Sequence, residues 1–170
     1  MRVLGLDPGI AVFGFGLLER DGGKGPRLVE AGVWRPREHD EIGRLLHLFD
    51  RLEALLAAGH PDLVAVERVF HTRNVSTAIS VGQARGVALL ACARAGLPVA
   101  EFTPTEMKLA VAGYGGADKQ QVQRMVALQL GLAEIPRPDD AADALGLGLC
   151  GLFHEQMRQR LGGAARRERS

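Results

Sequence analysis

Three groups of acidic residues stand where the chain leaves an apolar run or enters one. Asp7 closes Val3-Leu4-Gly5-Leu6 and precedes Pro8-Gly9. Glu67 closes Leu63-Val64-Ala65-Val66. Asp139-Asp140-Ala141-Ala142-Asp143 follows Pro136-Arg137-Pro138 and opens a helical pattern. Asp140 and Asp143, three residues apart, share a helix face. Neighbouring carboxylates repel unless one is protonated or a cation lies between them. An all-oxygen donor set suits hard octahedral cations, Mg²⁺ or Mn²⁺. Two such ions ~3.5–4 Å apart activate a water and stabilise the leaving oxygen of a phosphodiester. Singly, each acid also has a structural reading: Asp7 as a turn residue, the later group as acids favoured at a helix N-terminus. Their joint placement favours the metal reading.

The elements that must position these acids follow from periodicity. Val3 to Leu6, Phe13 to Leu18 and Leu28 to Trp34 read as strands joined by short turns, an antiparallel meander. Asp40 to Ala58 carries apolar residues at helical spacing. Leu63 to Val66 is a buried strand and Ser76 to Ala95 a helix stopped by Gly96. Val99 to Phe102 is a strand and Pro104 to Val111 a short helix. After the loop Ala112 to Gly116, Asp118 caps a helix ending near Gly131, and a last helix covers about Asp140 to Arg160. This is an α/β layer order with a mixed five-stranded sheet, the later strands parallel to the first. Ligands of such sheets bind beyond the carboxyl ends of parallel strands, where Asp7 and Glu67 fall.

The 170 residues are read as one domain, 1–161, with a small basic, disordered tail, 162–170. Apolar residues are 46% and charged residues 24%, which excludes wholesale disorder. No apolar run reaches the ~20 residues of a membrane span. Asp7 arrives before any signal-peptide apolar segment could finish, so a cytoplasmic protein is expected. Cys92 and Cys150 sit in apolar helical patterns and read as buried reduced thiols. Net charge is +1, but its distribution alternates. Residues 1–67 hold 8 bases and 11 acids, and residues 68–130 hold 7 and 3. Residues 131–153 hold 1 and 4, and residues 154–170 hold 5 and 2. A basic surface around an acidic pocket is one fold of such a string, and an ordinary mixed surface is the other.

Phe70 stands in a polar stretch with His71, Thr72, Arg73 and Asn74. An exposed aromatic there stacks on unstacked bases or wedges between them; a buried one tucks under the next helix. Gly82 and Gly86 permit close packing, either against the sheet or against a second copy of the chain.

Gly5-Leu6-Asp7-Pro8-Gly9 followed by Gly14-Phe15-Gly16 resembles the opening of the RuvC family of Holliday junction resolvases. Val66-Glu67-Arg68-Val69-Phe70, Gly82-Gln83-Ala84-Arg85-Gly86 and Asp140-Ala141-Ala142-Asp143-Ala144-Leu145 are similar to further motifs of that family, in the same order. The likeness covers about residues 1–155. It implies an RNase H-like fold, a homodimer and Mg²⁺-dependent cleavage of four-way DNA junctions, with Mn²⁺ able to substitute and two ions per site. It implies catalytic metal ligands at Asp7, Glu67, Asp140 and Asp143, and lysines facing the scissile phosphate at Lys108 and Lys119. It favours Phe70 as a base-contacting wedge, and it implies a branch-migration helicase as partner. Arg73, Arg85 and Arg124 are candidates for DNA-backbone contacts, which position without reading sequence.

Between adjacent acids, Asp139 is expected to be the N-cap of the last helix, because Pro136-Arg137-Pro138 forces an extended approach. Asp140 would then be the free ligand, with Asp139→Ala costing only stability. Two other functions share parts of this pattern. One is a single-lobe relative of nucleotide phosphotransferases, which need two lobes around the nucleotide. The other is a non-catalytic junction-binding protein, which predicts missing acids.

Overall fold

The computed structural model describes residues 1–68 and 75–167, with side chains as far as Leu161. Five strands, β1 (Arg2–Asp7), β2 (Phe13–Glu19), β3 (Arg27–Trp34), β4 (Leu63–Glu67) and β5 (Val99–Phe102), form one sheet of order β3-β2-β1-β4-β5. β1, β2 and β3 make the expected antiparallel meander, and β4 and β5 continue it in parallel with β1. The helices are α1 (Glu41–Gly59), α2 (Val75–Arg94), α3 (Pro104–Ala112), α4 (Lys119–Gln129) and α5 (Asp139–Arg167).

Side-chain alternation along the strands divides the core into two layers. Leu4, Leu6, Val64 and Val66 face α1 and α2, together with Phe13, Phe15, Leu52 and Leu56. Val3, Leu18 and Ala65 face the other way, against Met107, Val122, Leu145 and Leu149 of α3, α4 and α5. The same parity turns Asp7 and Glu67 toward the α5 layer. Leu6 pairs with Val66, so the next residues, Asp7 and Glu67, end their strands side by side.

α5 lies on this sheet with its backbone in contact, through glycines. A Cβ on Gly5 would stand 1.9 Å from the Ala144 carbonyl oxygen, and one on Gly14 would stand 2.2 Å from that of Asp140. No side chain fits at either place. The close approach puts the first turns of α5, with Asp140 and Asp143, over the end of β1.

Two sequence expectations about α5 change. The helix begins at Asp139, and the Ala141 and Ala142 amides bond the Pro138 carbonyl at 3.0 and 3.3 Å, so Asp139 is the first helical residue and does not cap it. The Pro138 carbonyl thus accepts the first bonds of the helix, one residue earlier than the sequence suggests. The helix also continues to Arg167, past the boundary expected at 161, with 168–170 outside the described residues. Asp118 does cap α4, in a capping box with Gln121, and Thr103 caps α3 with Glu106.

α2 is long and apolar enough in composition to cross a membrane, although no unbroken run is. In this fold its Ala84, Ala88, Ala91 and Cys92 are buried in the layer beneath α1. Gly82 and Gly86 fall on the opposite face, where an added Cβ would meet nothing within 4 Å. They therefore do not serve packing against the sheet. Both cysteines are buried free thiols, pushed up to about 11 and about 12 by burial.

Gly5→Ala should destabilise the protein by about 1–3 kcal/mol or more, because the methyl collides with backbone that cannot rotate away. Thermal melting of Gly5→Ala and of the open-face control Gly86→Ala checks this; an equal, small effect in both would place α5 farther from the sheet.

Candidate active site

Asp7, Glu67 and Asp143 line one cavity of about 260 Å³ with Lys108, Lys119, Pro104, Met107, Val122 and Leu147. Each polar member is delivered by a separate element. Asp7 and Glu67 end β1 and β4, and Asp143 stands one turn into α5. Lys108 lies in the middle of α3, and Lys119 is the first residue of α4. The apolar wall restricts water around the acids.

The electrostatics are those of crowded, half-buried carboxylates. Burial first, then the charges of Asp143, Glu67 and Asp140, push Asp7 up to about 7, with Lys119 opposing. Burial and the Asp143 charge raise Glu67. Burial raises Asp143 against the pull of Lys119. The Lys119 Nζ donates to Asp143 Oδ2 at 3.0 Å and lies 3.3 Å from Asp139 Oδ2. Among the described residues no group of three Asp, Glu, His or Cys side chains is drawn together tightly enough to hold an ion as it stands. The carboxylates stand apart around the cavity. The three carboxylates, offset in part by Lys108 and Lys119, nevertheless supply an oxygen donor set that fits a hard divalent cation, which would stabilise their charged forms against burial and mutual repulsion.

The other sequence-predicted residues fall in different places. Asp140 acts electrostatically on Asp7 and Asp143 but does not line the cavity; its backbone sits over Gly14. Arg85 is not brought to the site. Its guanidinium pairs with Glu101 at 2.8 Å, and side-chain parity along β4 and β5 puts that pair on the α2 side of the sheet. Arg124 is exposed on α4 beside Tyr114, Gln121 and Met125 and does not line the cavity. Phe70 and Arg73 lie outside the described residues.

Sequence reasoning missed the roles of Asp139 and Gln123. Asp139 was expected to cap its helix, but its carboxyl is held below the usual range by Gln123 and Lys119. The signal was present as two matching spacings: Lys119 and Gln123 are four apart on one helix, Asp139 and Asp143 four apart on another.

A mixed five-stranded sheet of this order, with acids at the ends of the adjacent parallel strands β1 and β4 and at the start of the last helix, is the RNase H-like arrangement. The family model described as crossover junction endodeoxyribonuclease RuvC matches residues 3–151. The RuvC of Chloroflexus aggregans is 55% identical over 163 residues, 95% of this chain and 99% of that one. The RuvC of Desulfitobacterium hafniense is 53% identical over 167 residues, 96% of this chain and 99% of that one. The structure of Thermus thermophilus RuvC in complex with Holliday junction substrate superposes with a TM-score of 0.87 at 37% identity, over 92% of this chain and 96% of that one.

The chain belongs to the RuvC family of crossover junction endodeoxyribonucleases. Membership in this nuclease family implies dependence on a divalent metal ion.

The raised Asp7 has a consequence for the metal-free protein. The unfolded chain loses this proton near pH 4, while the folded chain keeps it until about pH 7. Between those values the native state binds more protons, so stability falls as pH rises and the loss is complete above about pH 7. Asp7→Asn should therefore raise the stability of the metal-free protein at pH 8 by on the order of 1–3 kcal/mol, with little effect near pH 4. Melting in EDTA at both pH values checks this; a destabilised Asp7→Asn at pH 8 would contradict it.

Proposed function

We propose that this chain resolves Holliday junctions in recombination and repair, hydrolysing one phosphodiester in each of two symmetry-related strands of a four-way DNA junction. The observation that carries the reading is the cavity itself. It gathers three electrostatically coupled carboxylates and two lysines at the carboxyl ends of parallel strands. The presence of Asp7, Glu67, Asp140 and Asp143 in the chain argues against a non-catalytic binder. A chain matched end to end by junction endonucleases argues against a phosphotransferase lobe.

Asp7, Glu67 and Asp143 would hold the divalent cation, with Asp140 contributing from the same helix start. Mg²⁺ is the proposed ion, Mn²⁺ a substitute, and two ions per site the proposed count. When bound, the metal supplies a water of lowered pKa and neutralises charge on the phosphate. The chain's own residues bind and orient the DNA. Lys108 and Lys119 offer point charges to the scissile phosphate from α3 and α4. Met107, Val122 and Leu147 form the apolar wall that strengthens those interactions. Hydrolysis adds water across one P–O bond and leaves a hydroxyl and a phosphate end. Arg124 would contact the DNA backbone, while Phe70, wedged at the crossover, and Arg73 would follow from the segment after Glu67. A branch-migration helicase and a cytoplasmic location complete the proposal.

Two symmetric nicks call for two sites related by a two-fold axis, hence an isologous homodimer. α1 and α2 supply a surface for it. Ile42, Leu46, Ile79 and Leu90 are exposed there, and the open Gly82 and Gly86 lie between the last two. Gln83 bonds Glu41 across the two helices, which makes the patch continuous. Ile79→Arg should convert a dimer to a monomer by sizing while leaving melting nearly unchanged, since exposed substitutions shift stability by about 0.5 kcal/mol or less. A dimer that persists would place the interface elsewhere.

The direct test uses a synthetic four-way junction and a linear duplex of the same sequence. With Mg²⁺ the protein should nick opposed strands of the junction and spare the duplex. Glu67→Gln should lose cleavage by more than about a hundredfold, since even outer-shell losses cost about 10–100-fold, and should retain junction binding. Cleavage near the normal rate by Glu67→Gln would remove Glu67 from the metal site.

A further inference from the structure

Lys119 begins α4, where the positive end of the helix dipole disfavours a cation. The fold offsets this with two carboxylates from α5, Asp143 at 3.0 Å and Asp139 at 3.3 Å. The two acids differ in their surroundings. Asp143 is 29% exposed and lines the cavity with Asp7 and Glu67; Asp139 is 59% exposed and does not. Behind Asp139 stands Gln123, one turn after Lys119 and itself only 9% exposed. Its Nε2 completes no hydrogen bond among the described residues, and the carboxylate it faces is that of Asp139. One turn of α4 thus meets one turn of α5 through Lys119 and Gln123 on one side and Asp139 and Asp143 on the other.

If Asp143 is a cation ligand, as the proposed function has it, the cation draws on the same negative charge that holds the ammonium, and the Asp143–Lys119 attraction weakens. Loading the site would loosen the hold of its nearer partner on Lys119, a side chain with four rotatable bonds. Asp139 lies outside the cavity lining, so its charge stays available to Lys119. We propose that Asp139 is a positioning residue that retains the Lys119 ammonium at the cavity rim when the charge of Asp143 is shared with a metal. Asp139 then acts through Lys119 and touches neither metal nor DNA. This inference rests on the nuclease reading of the site, and its test separates the two.

The first arm needs no metal and no cleavage. Side-chain ¹⁵N-lysine NMR of the metal-free protein reads the Lys119 ammonium, assigned by its loss in Lys119→Arg. Asp143→Asn stands in for an Asp143 withdrawn from the pair. The slowly exchanging Lys119 signal should persist in Asp143→Asn and vanish in the double variant Asp139→Ala/Asp143→Asn. Its loss in Asp143→Asn alone, or its survival in the double variant, overturns the proposal.

The second arm is single-turnover junction cleavage in saturating Mg²⁺. Asp139→Ala should lower the cleavage rate roughly three- to fivefold, the scale of one partly exposed ion pair. Junction affinity and the Mg²⁺ concentration at half-maximal rate should not change, and Asp139→Glu should recover most of the rate. A loss confined to melting temperature, or a wild-type rate in Asp139→Ala, overturns the positioning role. Failure of the wild-type protein to cleave would instead sink the nuclease reading and leave the NMR result standing.

Discussion

The contact between α5 and the sheet is made by backbone, and the site depends on it. Side chains ordinarily hold a helix about 10 Å from a sheet. Here Gly5 and Gly14 remove the spacer beneath Ala144 and Asp140. The helix start drops toward the ends of β1 and β4, and Asp143 enters the cavity that Asp7 and Glu67 already share. A methyl group on either glycine would lift the third acid away from the first two. The glycines of the Gly5-Leu6-Asp7 and Gly14-Phe15-Gly16 motifs thus serve the geometry of the acids as much as the chemistry does.

That approach has an electrostatic cost, which the structure offsets locally. Burial raises the proton affinity of all three carboxylates, and the charge of Asp143 adds to it at Asp7 and Glu67, Asp7 being raised most of all. Lys119 neutralises one side of the cluster, and its own unfavourable place at the head of α4 is relieved by Asp143 and Asp139. The capping box of Asp118 and Gln121 fixes where α4 begins and so where that lysine stands. The metal-free site is consequently a set of groups held in mutual strain, which a divalent cation would relax.

Much of this was legible in the sequence, for a physical reason. Apolar alternation and helical spacing report burial, and burial decides the layer order, so the meander, the parallel strands and the positions of Asp7 and Glu67 at strand ends followed. What was not legible depends on tertiary contacts that no local pattern encodes. Asp139 looks like a cap after Pro136-Arg137-Pro138, yet it is the first residue of the helix and its carboxylate pairs with Lys119 on α4. Arg85 belongs to a basic stretch, yet strand parity places its partner Glu101 on the face away from the cavity. Gly82 and Gly86 looked like packing glycines, and they do not pack within this chain. In each case the residue type was informative and its partner was not.

The central claim is that Asp7, Glu67 and Asp143 together hold divalent metal. Anomalous diffraction from crystals soaked in Mn²⁺ tests it without reference to cleavage. The account predicts anomalous density between these three carboxylates, with oxygens at about 2.0–2.3 Å from the metal, and its disappearance in Asp7→Asn. Mn²⁺ bound elsewhere on the protein, with the cavity empty and Lys119 still on Asp143, would contradict it.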